Sequence, residues 1–560
     1  MFVRPSSISV EEKESILARF WRKEPALWAS QPDAQEEVRN RLGWLDVLPE
    51  MKSSIEVINN FVSDVREQGF QRVVILGMGG SSLCPLVMKE VFGAGEGFPE
   101  LIVLDTTDPD EIEGVVTTGD LTTTLFVVAS KSGTTVEPNA LFNYFWQLTG
   151  EAVSDPGRHF TAITDPGTTL DRLAEERGFC HIFRNPPDIG GRYSALSYFG
   201  LVPAALLGLD LERLIERAED MIRHCGPEVP VDSNPGYQLG EYLGEYGVQS
   251  RDKLSILADP AIRPLGLWLE QLIAESTGKE TRGLVPIFGE TTGIPGFYGG
   301  ERVFIYIRVK GTPEDESLER FVSELREAEF PVYDLWLDDL YDIAGQFFLW
   351  EMATAIACHF IGVNAFDQPD VQAAKLKTGE VLDAYRSEGR MPISFWVDPQ
   401  SNINFRPSKI LAPSMKSLSR ALRDIFTVLP SWGYLAFLPY LPYDSEVDEI
   451  IGSMRYMVRQ EKGCATTMGY GPRYLHSTGQ IHKGGPYSAA FLIFTRKRKK
   501  DYPTVPGFQV SFWHMQFAQA VGDFEVLSEA GKRAVLIHLP DDYRLGLTTF
   551  SKVLARAVRL

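Results

Sequence analysis

Phe126-Val127-Val128-Ala129-Ser130-Lys131-Ser132-Gly133-Thr134-Thr135-Val136-Glu137-Pro138 decides how the rest of the chain is read. An apolar, β-branched run gives way to hydroxyls, one lysine and one glycine, and a helical pattern follows from Asn139. This predicts a strand, a tight loop and a helix N-terminus. Such a terminus leaves N–H groups unpaired and carries partial positive charge, so it favours an anion. Ser130, Ser132, Thr134 and Thr135 add donors, and Lys131 adds a formal charge. The stretch reads as a phosphate cradle, although its glycine and lysine spacing excludes a nucleotide P-loop. The bland alternative is an N-capped helix with incidental hydroxyls. Four hydroxyls and a lysine are more than a cap requires.

Outward from the cradle, strands alternate with helices. Arg72–Leu76, Leu101–Asp105 and Phe160–Thr164 read as buried strands flanking Leu125–Ala129. That order implies a doubly wound parallel sheet with ligands at the carboxyl ends of its strands. Gly77-Met78-Gly79-Gly80-Ser81-Ser82 and Asp188-Ile189-Gly190-Gly191-Arg192-Tyr193-Ser194 both fall at such ends. The first alone is weak evidence, since many doubly wound folds carry such a turn, and an isolated Gly-Gly-Arg is as often a plain turn as a site. Residues 8–70 read as helices anchored by Trp21, Trp28 and Trp44, with no chemistry legible in them, and Leu196 to Cys225 as one long helical connector.

A second lobe opens with the strand Lys253–Ala258 and continues with strands at Val303–Val309 and Pro331–Leu337. Between them, Trp268 to Lys279 places Gln271 and Glu275 four apart on one helix face, near a helix end at Gly278. Taken blind, Glu275 would be a surface partner of Lys279. Ala344 to Phe360 is apolar nearly all round, so it should be a buried helix. In Asn364-Ala365-Phe366-Asp367-Gln368-Pro369, Pro369 suits a first helical turn, with Gln368 near the helix start and Lys375 two turns along. Roughly 170 further residues carry strands at Tyr434–Leu438, Ala489–Thr495 and Ala534–Leu539 and a helix at Glu446–Glu461.

Composition narrows the function. The chain has 560 residues, 44% hydrophobic and 23% charged, as in ordinary globular proteins. A formal charge of −20 argues against nucleic acid or an anionic membrane as partner. An anionic ligand must then meet local positive charge. Cys84, Cys180, Cys225, Cys358 and Cys464 are scattered, without a CxxC, so neither a disulfide framework nor a zinc site is suggested. Met1 to Ser6 lacks an apolar signal core, and no apolar run reaches membrane-spanning length. The expectation is a cytoplasmic protein. Arg496-Lys497-Arg498-Lys499-Lys500 reads as a solvated basic loop.

Five motifs together resemble the phosphoglucose isomerase family. They are the two glycine-rich turns, Ser130–Thr135, Gln271-x-x-x-Glu275-Ser276-x-Gly278-Lys279, and Asn364-x-Phe366-Asp367-Gln368-Pro369 followed by Lys375, in family order. The resemblance implies two doubly wound sugar isomerase lobes and an α/β fold, here with a C-terminal α/β lobe added. The boundaries expected are 1–70 (helical), 71–225 (phosphate-binding lobe), 226–390 (lobe of the glutamate and lysine) and 391–560 (third lobe). Gly469 to Pro486 resembles the isomerase half of bifunctional transaldolase–phosphoglucose isomerase proteins, which suggests a functional link to a transaldolase.

By this resemblance the substrate is a phosphosugar, glucose 6-phosphate in exchange with fructose 6-phosphate, and neither metal nor redox cofactor is called for. Glu275 is the proton-transfer base and Arg192 stabilises the enediolate. Ser130, Lys131, Ser132 and Thr135 hold the phosphate, Ser81 contacts that group or the sugar, Gly191 and Gln271 bind substrate, and the catalytic Lys375 belongs with Gln368 to the ring-opening side. The family's ring-opening histidine position is taken by Arg302. His476 is the expected replacement, in His476-x-x-x-Gln480-x-His482-x-Gly484, with His482 as second candidate and a buried structural histidine as the alternative. In the common dimer a neighbouring subunit supplies this group. A homodimer therefore fits the resemblance, as does a third lobe acting within the chain. Broader specificity toward mannose 6-phosphate, or a non-catalytic phosphosugar sensor, would carry the same cradle.

Overall fold

The structure is a computed structural model that describes residues 8–313, 315–411, 416–497 and 500–559. The expectation for Met1 to Ser6 and the Arg498–Lys499 part of the basic run lie outside the described residues. Among the described residues, no helix is long and apolar enough to cross a membrane.

Three sheets organise the chain. The first holds β1 (Arg72–Gly77), β2 (Glu100–Leu104), β3 (Thr124–Ala129), β4 (Phe160–Thr164) and β5 (His181–Arg184), all parallel, in the order β2-β1-β3-β4-β5. The winding reverses between β1 and β3, and the loops after these two strands open a crevice there. Those loops are Gly77–Ser82 and Ser130–Thr135. The second sheet holds β6 (Lys253–Ala258), β7 (Val285–Ile287), β8 (Arg302–Val309) and β9 (Val332–Leu337), parallel, in the order β7-β6-β8-β9. The third holds β10 (Trp396–Val397), β11 (Asn404–Pro407), β12 (Tyr434–Pro439), β13 (Ala465–Met468), β14 (Ala489–Arg496) and β15 (Arg533–Leu539), in the order β10-β11-β15-β14-β12-β13. It is parallel from β13 to β15 and antiparallel at β11 and β10, so this lobe is mixed.

Strand alternation decides what each face covers. Val73 and Ile75 of β1, with Leu125 and Val127 of β3, face a core shared with Phe20, Trp44 and the helix Tyr198–Leu206. Val74, Leu76, Phe126 and Val128 face the opposite way. That second core also contains Tyr434, Ala436 and Leu438 of β12 and Phe517 and Val521 of the helix Phe512–Glu529. The helix Val136–Ala152 packs directly on this face, with Phe145 on Phe126 at 4.7 Å, and Phe512 of the third lobe packs in turn on Tyr144 of that helix.

Three expectations change in detail. The Leu196–Cys225 stretch is two helices, Tyr198–Leu206 and Leu211–His224. Gly208 at φ +85° and the Asp210 cap on Arg213 N–H break it. Pro369 precedes the helix Val371–Glu388, whose N-cap is Asp370. Arg496 is not solvated: at the end of β14 it is buried and pairs with Asp108 and Asp110 of the first lobe. It acts as a clasp between lobes.

Candidate active site

A cavity of about 360 Å³ opens at the crevice, and the expected site residues line it together: Ser81, Ser130, Lys131, Ser132, Thr135, Gly191, Arg192, Gln271, Glu275, Gln368, Lys375 and His476. Three lobes contribute. Close backbone approach makes this possible. A Cβ on Gly80 would stand 1.9 Å from the Gly191 carbonyl oxygen, and one on Gly79 would stand 2.9 Å from both Gln271 Nε2 and the His476 carbonyl oxygen. Only glycine lets these loops meet.

The cradle lies on the first-lobe side. Thr135 is the N-cap of the helix Val136–Ala152 but its side chain makes no capping bond. Its hydroxyl instead accepts from Ser130 Oγ at 3.3 Å, and Ser132 and Thr134 hydroxyls lie 2.9 Å apart. The hydroxyls thus bond among themselves, and those of Ser130, Ser132 and Thr135 line the cavity. Lys131 Nζ pairs with Asp165 and donates to the Pro187 carbonyl at 2.9 Å. Burial raises the Asp165 carboxyl despite that lysine.

Across the cavity sits a buried ion pair. Arg192 Nη1 lies 3.4 Å from Glu275 Oε1, and both residues are under a tenth exposed. Arg192 is fixed by three further bonds: Nε to Ser276 Oγ at 2.9 Å, and Nη2 to the Ala365 and Asp367 carbonyls at 2.6 and 3.0 Å. Gln271 Nε2 donates to Glu275 Oε2 at 3.2 Å and to the His476 carbonyl at 2.9 Å. Glu275 is therefore no surface partner of Lys279. Lys279 is buried, pairs with Asp367 at 2.7 Å, and is pushed down to about 8 by burial and by Arg192.

His476 enters from the third lobe of the same chain. Its Nε2 stands 3.0 Å from Glu137 Oε1, in the first turn of the cradle helix. Burial would raise the Glu137 carboxyl, but His476 outweighs it and holds it low. An ionised Glu137 makes Nε2–H the donor and leaves Nδ1 of a neutral imidazole as the basic nitrogen. His482 is placed differently. It is buried, its Nδ1 lies 3.1 Å from the Tyr434 hydroxyl, and burial lowers it to about 3. Gln480, between the two, bonds Asp370 and the Gly278 carbonyl and ties the third lobe to the second. Arg302 lies outside the cavity, buried at 3.0 Å from Glu290.

Sequence reading misses four lining residues and one partner. Glu37 and Arg41 come from the N-terminal helical segment, where no chemistry is legible; Asp165 and Thr168 follow β4. Glu137 stands within the cradle stretch, yet the sequence alone gives it no role. The signal available is its carboxylate directly after the hydroxyls, needing a cationic or imidazole partner once buried.

The fold agrees with the comparisons. Residues 36–294 match the family model described as phosphoglucose isomerase. A probable glucose-6-phosphate isomerase of Methanococcus maripaludis is 28% identical over 62% of this chain and 86% of its own. Glucose-6-phosphate isomerase of Trichormus variabilis is 26% identical over 67% and 77%. Among solved structures, a hypothetical protein of Thermus thermophilus superimposes with TM-score 0.57 at 25% identity, over 68% of this chain and 95% of that one. A glucose-6-phosphate isomerase of Chlamydia trachomatis gives 0.54 at 19%, over 68% and 85%, a likeness of fold. About a third of the chain or somewhat more lies outside each of these relatives and structures, and more than half lies outside the family model. The chain is an aldose–ketose isomerase of the sugar isomerase fold. Its likeness to the phosphoglucose isomerase family model spans residues 36–294, a little under half of the chain.

Proposed function

We propose that the chain interconverts glucose 6-phosphate and fructose 6-phosphate through a cis-enediolate, using a site complete within one chain. The observation that carries this is the arrangement in one cavity of the hydroxyl cradle, the Arg192–Glu275 pair and His476, which is backed by Glu137. The cradle hydroxyls and the helix N-terminus bind the phosphate, with Lys131 turning from Asp165 toward the dianion. The neutral imidazole of His476 takes the anomeric hydroxyl proton as the ring opens, and Lys375, on the exposed face of its helix, gives one to the ring oxygen. Glu275 carries one proton between C2 and C1. Arg192, already desolvated and locked, holds the negative charge that develops on the enediolate oxygens. It needs no reorganisation when that charge appears.

The test is a coupled assay of fructose 6-phosphate to glucose 6-phosphate in chelator, with Glu275→Gln beside the unaltered protein. Turnover lost in the variant supports the reading. An active variant moves the base elsewhere, and binding without turnover in the unaltered protein overturns the substrate assignment. Activity proportional to protein on dilution supports a site complete in one chain.

A further inference from the structure

A second cavity of about 140 Å³ lies behind His476, walled mainly by Val136, Val371, Leu382, Leu475 and Met515. Glu137 and Gln519 supply polar groups on its wall, and both are about nineteen-twentieths buried. Gln519 stands on the third-lobe helix Phe512–Glu529. Its Nε2 donates to Glu137 Oε1 at 2.6 Å, the oxygen that also meets His476. Its Oε1 accepts from Thr107 Oγ1 of the first lobe at 2.8 Å. The reversed amide would set two oxygens against each other, so Thr107 and an ionised Glu137 agree on one orientation.

We propose that Gln519, held by Thr107, is a positioning residue for His476: it fixes the Glu137 carboxylate against Nε2 and shares that oxygen's charge, and so sets the basicity of the imidazole. The inference rests on His476 acting in ring opening. Apolar walls strengthen each of these bonds and exclude water that would otherwise replace Gln519. Other charges face the same group. Lys375 on the helix Val371–Glu388 acts on Glu137. Lys483 lines the cavity but is neutralised by Asp523 at 2.5 Å. The Tyr440 hydroxyl feels Glu137 from the third sheet. None of these donates to Glu137 Oε1 as Gln519 does.

The sign follows from hydrogen-bond number. Without Gln519, Oε1 keeps one donor, the carboxylate becomes more basic, and the imidazolium is held more firmly. The acid limb of ring opening then moves to higher pH.

The experiment follows anomer exchange of fructose 6-phosphate by NMR across pH, in intact protein. Gln519→Leu should lose roughly 10-fold at neutral pH and raise the acid limb by about half a unit. Thr107→Val should show a smaller change in the same direction, and adding it to Gln519→Leu should cost nothing more, since both act through one bond chain. Gln519→Glu sets two carboxylates in contact, so one proton is shared and exchange should fail toward alkaline pH. An acid limb unmoved in Gln519→Leu, or additive losses in the double variant, overturns the inference. If Gln519→Leu does not fold, Thr107→Val and Gln519→Glu decide it on the same criteria. His476→Ala separates the two ideas: exchange retained there sinks the histidine assignment, whereas exchange lost there with an unmoved Gln519→Leu profile sinks only this one.

Discussion

His476 Nε2 and Glu137 Oε1 meet at 3.0 Å although 339 positions separate them, one from the third lobe and one from the cradle helix. The pair shows what the third lobe delivers to the cleft. Removing the charge of Glu137 while keeping its shape tests it. Glu137→Gln should cost roughly 10- to 100-fold in ring opening. Its acid limb should move to lower pH, because the imidazolium loses its counter-charge. The NMR anomer exchange described above measures both.

On the proposed reading, Glu275 moves the carbon-bound proton. Glu275→Gln should lower kcat by about 1,000-fold with little change in KM, as expected where an acid–base group acts only in the transition state. Solvent deuterium incorporation at C1 of fructose 6-phosphate should vanish in parallel. Incorporation at the unaltered rate would assign the proton to another residue.

Arg192 offers a sharper test of geometry than of charge. Its planar fork meets Ser276, Ala365 and Asp367 and leaves Nη1 at Glu275. A lysine keeps the charge but cannot make these bonds together. Arg192→Lys should therefore lose about 100-fold in kcat, while the affinity for inorganic phosphate, measured by inhibition, stays within a few fold. A lysine variant of near full activity would reduce Arg192 to a source of charge.

Away from the cleft, Glu290 lies among Arg302, Arg455 and Arg459 at the contact of second and third lobes. Burial opposes its ionisation, but the arginines win and push it down to about 2 from an ordinary 4.5. A carboxyl lowered on folding stabilises above its unfolded value and loses that contribution as pH falls from about 4.5 toward 2. Glu290→Gln should destabilise by roughly 3 kcal/mol at neutral pH, since it strands buried arginines. The gap in urea midpoint between variant and unaltered protein should narrow below about pH 4. A constant gap would mean that shape, not charge, sets the cost.

Much of the architecture is legible in the sequence because the signals are local. The apolar runs of β1 and β3 and the mostly apolar β4 and β6 are central strands, and their ends match the structure within a residue or so. The cradle announces itself by crowding hydroxyls around Lys131. Short strands such as β5, β7 and β13 have too few residues for a pattern, and β10 and β11 pair antiparallel only because the third sheet offers an edge. Glu37, Arg41 and Glu137 acquire their positions from chain crossings that no spacing records. Arg496 misleads for the same reason: a basic run looks solvated until Asp108 arrives from nearly 390 positions away.

The core common to β1, β3 and β12 bears on how such a protein could be assembled or dismantled. Val74, Leu76, Phe126 and Val128 are covered by the helix Val136–Ala152, and Tyr434, Ala436, Leu438 and Phe517 of the third lobe complete the same core. A shortened version ending near Lys375 would expose the part of this core that the third lobe completes and associate or aggregate. Cradle and imidazole should also share one cooperative unit in amide hydrogen exchange, with matched protection in β3 and β12. The chemistry at the two ends of the sugar would then be gained, and lost, together.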